Sequence, residues 1–462
     1  MATRRVIIAG AGISGLALAH NLRALGLDPL VLEQAARAGG KIHSEQRAGY
    51  LCEWGPAGLQ GDDPAVQRLL RELALDARVE PAQAAARRRF VVAAGELVPV
   101  PTSPGQLVRT RLLGPLAKLR ALGDLVLGRG PISQGGEESV ATFARRRLGR
   151  GAAERVLYPL VSGLYAGDPE QISVADAVPW LAELEQRDRS LMMGGLRKLW
   201  QARRQRRRGL ISFKHGLEEL TAALARELGP RLRLDTVVET VTRDRGQLEL
   251  GVRQGAERRT LQTDAVVLAL PAPQAAAAVA ALSPALPRVL GAIPYVPVVL
   301  VHLGYAPGAL ARPPDGYGFL VAPDEPPGLL GAVFASSVFP QRAPLAHALV
   351  STRLGGARNP ELVHLSDAEL TQLAVARLTP LLGARQEPAF VRVVRHVEAL
   401  PQYTLGHAAR VAAVDAAEEH QPGLYFTGNG YRGLGIPDCI RNAATLAQRI
   451  AREVTQARAH AA

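Results

Sequence analysis

Residues 4–33 read RRVIIAGAGISGLALAHNLRALGLDPLVLE, and this stretch decides the fold. Residues 4–9 are a short apolar run of the kind that forms a parallel strand buried on both faces. Gly10-Ala-Gly12-Ile13-Ser14-Gly15 follows without a break, residues 16–25 have the length of a helix that stops at Gly26, and residues 30–33 form a second strand. At the first turn of such a βαβ unit each glycine of GxGxxG has a reason. Gly10 permits the tight turn, Gly12 lets backbone approach a pyrophosphate, and Gly15 lets the helix pack on the sheet. Ile13 and Ser14 open the helix, whose free N–H groups face an anion. Glu33 closes the second strand 18 residues after Gly15, with Gln34 beside it, where a carboxylate accepts the ribose hydroxyls of an adenosine.

Immediately outward stands Arg37-Ala-Gly39-Gly40-Lys41, and further on Glu53-Trp54-Gly55-Pro56. The first resembles the RxGG(R/K) extension of the glutathione-reductase and amine-oxidase class of flavoproteins, which implies FAD as the cofactor. On that resemblance Gly39 and Gly40 bring backbone to the cofactor a second time, Lys41 adds charge near the phosphates, and Gly55 and Pro56 pack beside it. Val238, at the end of an expected strand over 231–238, falls where the class commonly meets the adenine. At the other end of the chain, residues 424–429 read as a strand running into Gly428 and Asn429. Gly435-Ile436-Pro437 then opens a helix through 450. A second helix start with small residues can face the same pyrophosphate and the flavin edge.

Between these ends, residues 57–80 read as a helix and residues 87–100 as a hairpin. Residues 102–208 carry a helical pattern in which Leu107, Leu112, Leu113, Leu116, Leu119 and Leu122 alternate with Arg109, Arg111, Lys118 and Arg120. Residues 197–208 hold seven basic side chains, no acidic one, and Trp200. A basic amphipathic helix with an interfacial Trp suits an anionic membrane surface; a solvated helix face over an ordinary core is the competing reading. Residues 215–228 read as a helix, and residues 248–252 and 259–263 as part of a small antiparallel unit.

The bulk composition excludes several classes. The formal charge of +13 would raise nucleic acid as a partner, but the excess is almost all Arg, with Lys only at 41, 118, 198 and 214, beside abundant Ala, Gly and Pro. Nucleic acid is therefore not expected. Cys52 and Cys439 stand far apart in no CxxC pattern, which fits a reducing, cytoplasmic compartment with no disulfide framework and no zinc site. The most apolar stretch, 289–305, is broken by Pro294 and Pro297, so no span is expected; a peripheral place on the inner face of the cell membrane stays open. Ser-His-Asp arrangements and metal spacings are absent. His302, His396 and His407 lie on expected strands or turns, where satisfied structural roles are expected for most of them.

The motifs taken together resemble the protoporphyrinogen oxidases. The segments are VLEQAARAGGKI (31–42), EWGP (53–56), RRRFVVAAGELVPVP (87–101), GLYAGDPEQIS (163–173), GYGFLVAP (316–323), RVVRHVEALPQYTLGH (392–407) and GNGYRGLGIPDCI (428–440), in family order over about residues 4–450. The resemblance implies an α/β fold: a Rossmann-like FAD-binding domain (1–80, 206–268, 391–462), a mixed-sheet substrate domain (81–100, 269–390) and a helical insertion (101–205). It implies oxidation of protoporphyrinogen IX by FAD and dioxygen, with hydrogen peroxide released and no catalytic acid or base. Arg89 matches the arginine that pairs with a substrate propionate. Tyr317, Gly318 and Leu320 match the segment against the macrocycle, Gly318 giving backbone access. Arg353 stands where relatives tend to carry an apolar residue; lining the pocket, it would add a cationic anchor and favour coproporphyrinogen III, with its extra carboxylates. A homodimer is a further partner to consider. A flavin-dependent amine oxidase is the rival enzyme, although no Lys follows Lys214 to stand near the flavin N5. An FAD-binding scaffold without turnover is the non-enzymatic rival.

Overall fold

The computed structural model describes residues 5–127, 130, 136–195, 197 and 208–461. A five-stranded parallel sheet is built around β1 (Arg5–Ala9), flanked by β2 (Asp28–Leu32) and Ala265–Leu268, with Leu232–Arg233 and Leu424–Phe426 at the edges. Successive side chains of β1 leave on opposite faces. Val6 and Ile8 pack with Leu16 and Leu22 of α1 (Ile13–Ala24) and with Ala443, Ala447 and Ile450 of the C-terminal helix (Ile436–Ala461). Ile7 and Ala9 pack with Leu248, Leu250 and Ala276 on the other side. Both faces are covered, which is why the strand is apolar from Val6 to Ala9; a buried Val or Ile side chain contributes about 1.5–3 kcal/mol.

A second sheet of seven strands runs in the order Phe390–Pro401, Tyr295–Tyr305, Ala348–Gly355, Leu329–Val333, Gly318–Val321, Arg89–Ala93, Glu96–Pro99. It is antiparallel except where Gly318–Val321 lies parallel to Arg89–Ala93. One face is closed by the helix Asp367–Leu382, whose Leu370, Ala374 and Leu378 meet Val299, Val301, Phe319 and Leu354. Phe390–Pro401 belongs to this sheet, pairing with Tyr295–Tyr305, although the sequence reading placed residues from 391 onward with the nucleotide unit. Its hydrogen bonds move that boundary to about 402.

The helical stretch is less continuous than its leucine pattern implies. It forms Pro104–Arg109, Pro115–Leu122, Val140–Leu148, Tyr158–Tyr165 and Pro179–Asp188, several opened by a proline at the first turn. Phe143, Leu157, Val161, Leu181 and Leu184 form its core. Inside it Arg147 pairs with Asp124 at 2.5 Å, all three of Arg147, Asp124 and Glu185 being buried. The basic run 197–208 with Trp200 lies outside the described residues apart from its end positions.

Two further expectations change. The helix expected over 57–80 is only Pro64–Glu72, because Asp63 caps it at Ala65 N and Ala74 takes a left-handed conformation just after it. The strand expected over 231–238 is two strands in two sheets, Leu232–Arg233 and Thr236–Asp244, split at Asp235 with φ +52°.

Candidate functional site

The glycine turn after β1 is constrained on three sides. Gly10 takes φ +103°, and a side chain there would strike the Ala269 carbonyl at 2.6 Å. A Cβ on Gly15 would sit 2.0 Å from the Gly10 carbonyl. Gly12, the N-cap of α1, differs: nothing lies within 4 Å of its missing Cβ, and no side chain caps the helix. The first turn of α1, with Ile13 and Ser14, thus presents backbone N–H groups toward open space, which is the cradle an anion takes.

The second glycine pair closes on the first. Gly39 N donates to Ala11 O at 2.8 Å, Gly39 bridges Gly12, and a Cβ on Gly40 would lie 3.3 Å from Gly12 Cα. Arg37 braces this loop through Gly40 O at 2.8 Å and lies over the Trp54 ring. It therefore supports the loop by its own hydrogen bonds. Lys41 makes no hydrogen bond or ion pair among the described residues; its ammonium faces the Tyr295 ring, and burial lowers its pKa to about 8 against the pull of Glu398. Gly55 packs on the Lys41 carbonyl, where a Cβ would come within 2.5 Å, and half-buried Pro56 follows it.

Glu33 is buried, and its two oxygens accept Ala11 N at 2.7 Å and Ala35 N at 2.9 Å. An ionised carboxylate has about four acceptor positions, so capacity remains for ribose hydroxyls; Gln34 beside it is exposed. Val238 is half-buried beside a bulge in the antiparallel sheet. At the far end of the chain, Gly428 takes φ +130° with open space beside it, Asn429 O accepts the Tyr403 hydroxyl at 2.7 Å, and Gly435 N donates to Asp438 at 3.1 Å. Ile436 and Pro437 open the C-terminal helix. Ser14 hydrogen-bonds Cys439, so the first turns of α1 and of the C-terminal helix touch. The open cradle at Gly12, the carboxylate with spare acceptor positions and the unpaired Lys41 together fit an adenine dinucleotide with its diphosphate between the two helix starts.

The substrate candidates gather on the seven-stranded sheet. Arg89 aligns with Gly318, Val333 and Ser351 across three neighbouring strands, and residues so aligned share a face. Leu320 and Arg353, two residues along, share it too. Arg89 lies over the Tyr317 ring, 5.4 Å from its centroid, and has no carboxylate within ion-pair distance among the described residues. Arg353 likewise lacks a carboxylate; its Nη1 donates to Gly163 O at 2.8 Å, near the end of the helix Tyr158–Tyr165. Leu320 packs against Gly163, where a Cβ would come within 2.2 Å. Gly318 has a structural reason of its own: a Cβ there would lie 2.0 Å from Ala332 O, so the neighbouring strand requires a glycine.

Between this sheet face and residues 51–57 lies a narrow cavity of about 20 Å³. Leu300, Val333, Val338 and Phe339 supply apolar wall, and Gly55, His302, Ser351 and Arg353 line it as well. At its edge a buried ion pair, Arg342 with Glu53 at 3.0 Å, is completed by Ser212, Ser44 and Leu217 N. Sequence reasoning missed this pair and Ser351, since their partners lie far along the chain. Of the three histidines, His396 bonds Trp54 O and His407 bonds Tyr431 O through Nε2, while His302 Nε2 and His407 Nδ1 each lack a hydrogen-bond partner among the described residues. Among the described residues no cluster of His, Cys, Asp and Glu could hold a metal ion.

Comparison with known proteins agrees with this geometry. The family model for flavin-containing amine oxidoreductases matches residues 13–451. The chloroplastic protoporphyrinogen oxidase of Nicotiana tabacum is 31% identical, over 96% of this chain and 85% of that protein. The coproporphyrinogen III oxidase of Propionibacterium freudenreichii is also 31% identical, over 96% and 90%. A crystal structure from Exiguobacterium sp. 255-15 superposes with a TM-score of 0.83 at 27% identity, over 98% of this chain and 100% of that one. The chain thus belongs to the flavin-containing amine oxidoreductase family, with FAD as its cofactor.

Proposed function

We propose that this chain is an oxygen-dependent porphyrinogen oxidase that converts protoporphyrinogen IX to protoporphyrin IX in tetrapyrrole biosynthesis. The observation that carries the reading is the sheet face beside Gly55: an apolar wall with Arg89 and Arg353, two arginines without carboxylate partners among the described residues. Bound FAD supplies a two-electron acceptor that dioxygen regenerates, releasing hydrogen peroxide. The chain's own residues bind, orient and exclude water. Arg89, steadied over Tyr317, offers a planar fork to a propionate. Leu320, Leu300 and Val333 offer apolar surface to the macrocycle, as a flat ligand needs. On this reading residues 1–80, 206–268 and 402–462 hold the cofactor, residues 81–100 and 269–401 the substrate, and residues 101–205 form the helical unit. Anaerobic mixing of the holoprotein with protoporphyrinogen IX should bleach the flavin band, and air should restore it with peroxide. Absence of bleaching overturns the proposal.

Arg353 favours a second substrate. Three strand spacings and two residues separate it from Arg89, about 16 Å between backbones, so the two cations flank a slot from opposite sides. Coproporphyrinogen III carries propionates on all four rings and can meet both. Side-by-side rates for the two porphyrinogens, with Arg353→Met, separate the readings. A tetracarboxylate substrate should lose roughly tenfold or more in kcat/KM on that change; equal effects on both substrates count against a selective role.

A membrane-surface contact has its own support. Leu116, Leu119 and Val126 are 82%, 67% and 87% exposed, beside exposed Val108 and Leu122. Arg109, Arg111, Lys118 and Arg120 form no ion pair among the described residues, and the one acid in residues 101–127, Asp124, is buried. Apolar side chains among unpaired cations suit anionic lipid. No helix among the described residues is long and apolar enough to cross a membrane.

A further inference from the structure

His302 stands in the strand Tyr295–Tyr305 with 1% of its surface exposed. Its Nδ1 lies 2.8 Å from Ser351 Oγ, while its Nε2 has no hydrogen-bond partner. A buried ring nitrogen left in that state is destabilising, which makes it a position that asks for a ligand. The ring lines the cleft beside Gly55, Leu300, Val333 and Arg353. Burial, together with Arg392 and against Glu45, lowers its pKa to about 4, so the imidazole is neutral near pH 7. The other charged groups on the cleft wall are accounted for. Glu53 is engaged by Arg342, Leu217 N and Ser44, and Arg342 and Arg353 can only donate. With Ser351 occupied by Nδ1, Nε2 is the free side-chain acceptor on this wall when Nδ1 carries the hydrogen.

We infer that His302 is a substrate-contacting residue: its Nε2 accepts a pyrrole N–H of the porphyrinogen and takes that proton as the macrocycle is oxidised. The inference rests on the porphyrinogen-oxidase reading and extends it. A porphyrinogen brings four pyrrole N–H donors into an apolar slot, and each loses its water partner there. In the first two-electron step a C–H bond at a bridging carbon breaks and its hydrogen leaves with both electrons as a hydride, for which bound FAD would be the acceptor. A pyrrole N–H bond breaks and its electron pair stays on the ring to form the new conjugated C=N. The released proton passes to Nε2, which returns it to solvent before the next two-electron step.

The test uses flavin-loaded His302→Leu, His302→Gln and wild type in anaerobic stopped flow with saturating porphyrinogen. His302→Leu should lower the limiting rate of flavin reduction by about 100-fold, with flavin content and reduction by dithionite unchanged. His302→Gln should keep substrate affinity, since an amide still hydrogen-bonds, yet remain slow. A limiting rate in His302→Leu within about twofold of wild type, the result expected if Nε2 faces only a buried water, overturns the inference. Should His302→Leu fail to retain flavin, Ser351→Ala removes the Nδ1 partner without crowding the cleft; it too should slow reduction, and an unchanged rate overturns the inference. A wild-type protein that no porphyrinogen reduces would instead bring down the parent reading, and this one with it.

Discussion

At the scale of single residues the two ends of the site obey different physics. Arg89 is exposed, lies over the Tyr317 ring and has no ion-pair partner among the described residues, which suits the proposed propionate-binding role. Removing it takes away binding shared by ground and transition states. Arg89→Ala should therefore raise KM by roughly tenfold while kcat changes little, read from steady-state kinetics; an unchanged KM would count against the propionate role. Lys41 carries a titration that cofactor binding should feel. Burial holds its pKa at about 8, and the negative diphosphate brought near it raises that value, so the protonated form binds more tightly. Affinity for FAD should accordingly fall as pH rises through about 8, and Lys41→Met should flatten that dependence in equilibrium titrations.

At the scale of elements, the glycine-bearing segments open helices at Ile13 and Ile436, where the sequence reading starts them, and the helical insertion differs from its sequence pattern. The sequence pattern puts Leu107, Leu112, Leu113, Leu116, Leu119 and Leu122 near one helical face. In the structure Leu112 and Leu113 turn inward while Leu116, Leu119 and Leu122 remain exposed. The helix Pro115–Leu122 is thus anchored by its neighbours and bares its apolar side. Leu119→Asp should leave flavin content and turnover of dispersed substrate unchanged and reduce co-sedimentation with anionic vesicles several-fold. Neutral vesicles serve as the control, because apolar side chains and cations act together at such a surface. Equal sedimentation of both proteins would remove the membrane reading.

At the scale of the whole molecule the candidate cofactor site draws on β1, the loop 37–41, residues 53–56 and the segment 428–439, pieces separated by almost the entire chain. Ligand that binds only the assembled state stabilises it by mass action, about 2.7 kcal/mol at a hundredfold excess over Kd. Removal of FAD should lower Tm by on the order of 5 °C, with recovery on adding it back, measured by thermal denaturation. The motif at 163–173 shows the same long-range logic. Ala166 O accepts Ala357 N at 2.7 Å, and Ser173 N donates to Tyr403 O at 2.8 Å, so the motif ties the helical unit to the seven-stranded sheet.

The local chain determined the βαβ unit, the glycine turns, Glu33 and the second helix start at Gly435. Each follows from strand length, glycine conformation and the free N–H groups of a helix end, which neighbours in sequence settle among themselves. The resemblance of its motifs carried the reading as far as FAD and a porphyrinogen. Only the tertiary structure decided that Gly318 answers to Ala332, that Phe390–Pro401 joins the seven-stranded sheet, that Arg353 and Arg89 share one face, and that His302 Nε2 has no hydrogen-bond partner among the described residues. Those facts depend on register between strands tens or hundreds of residues apart. A strand's own alternation fixes which residues share a face, but its partners fix what that face meets.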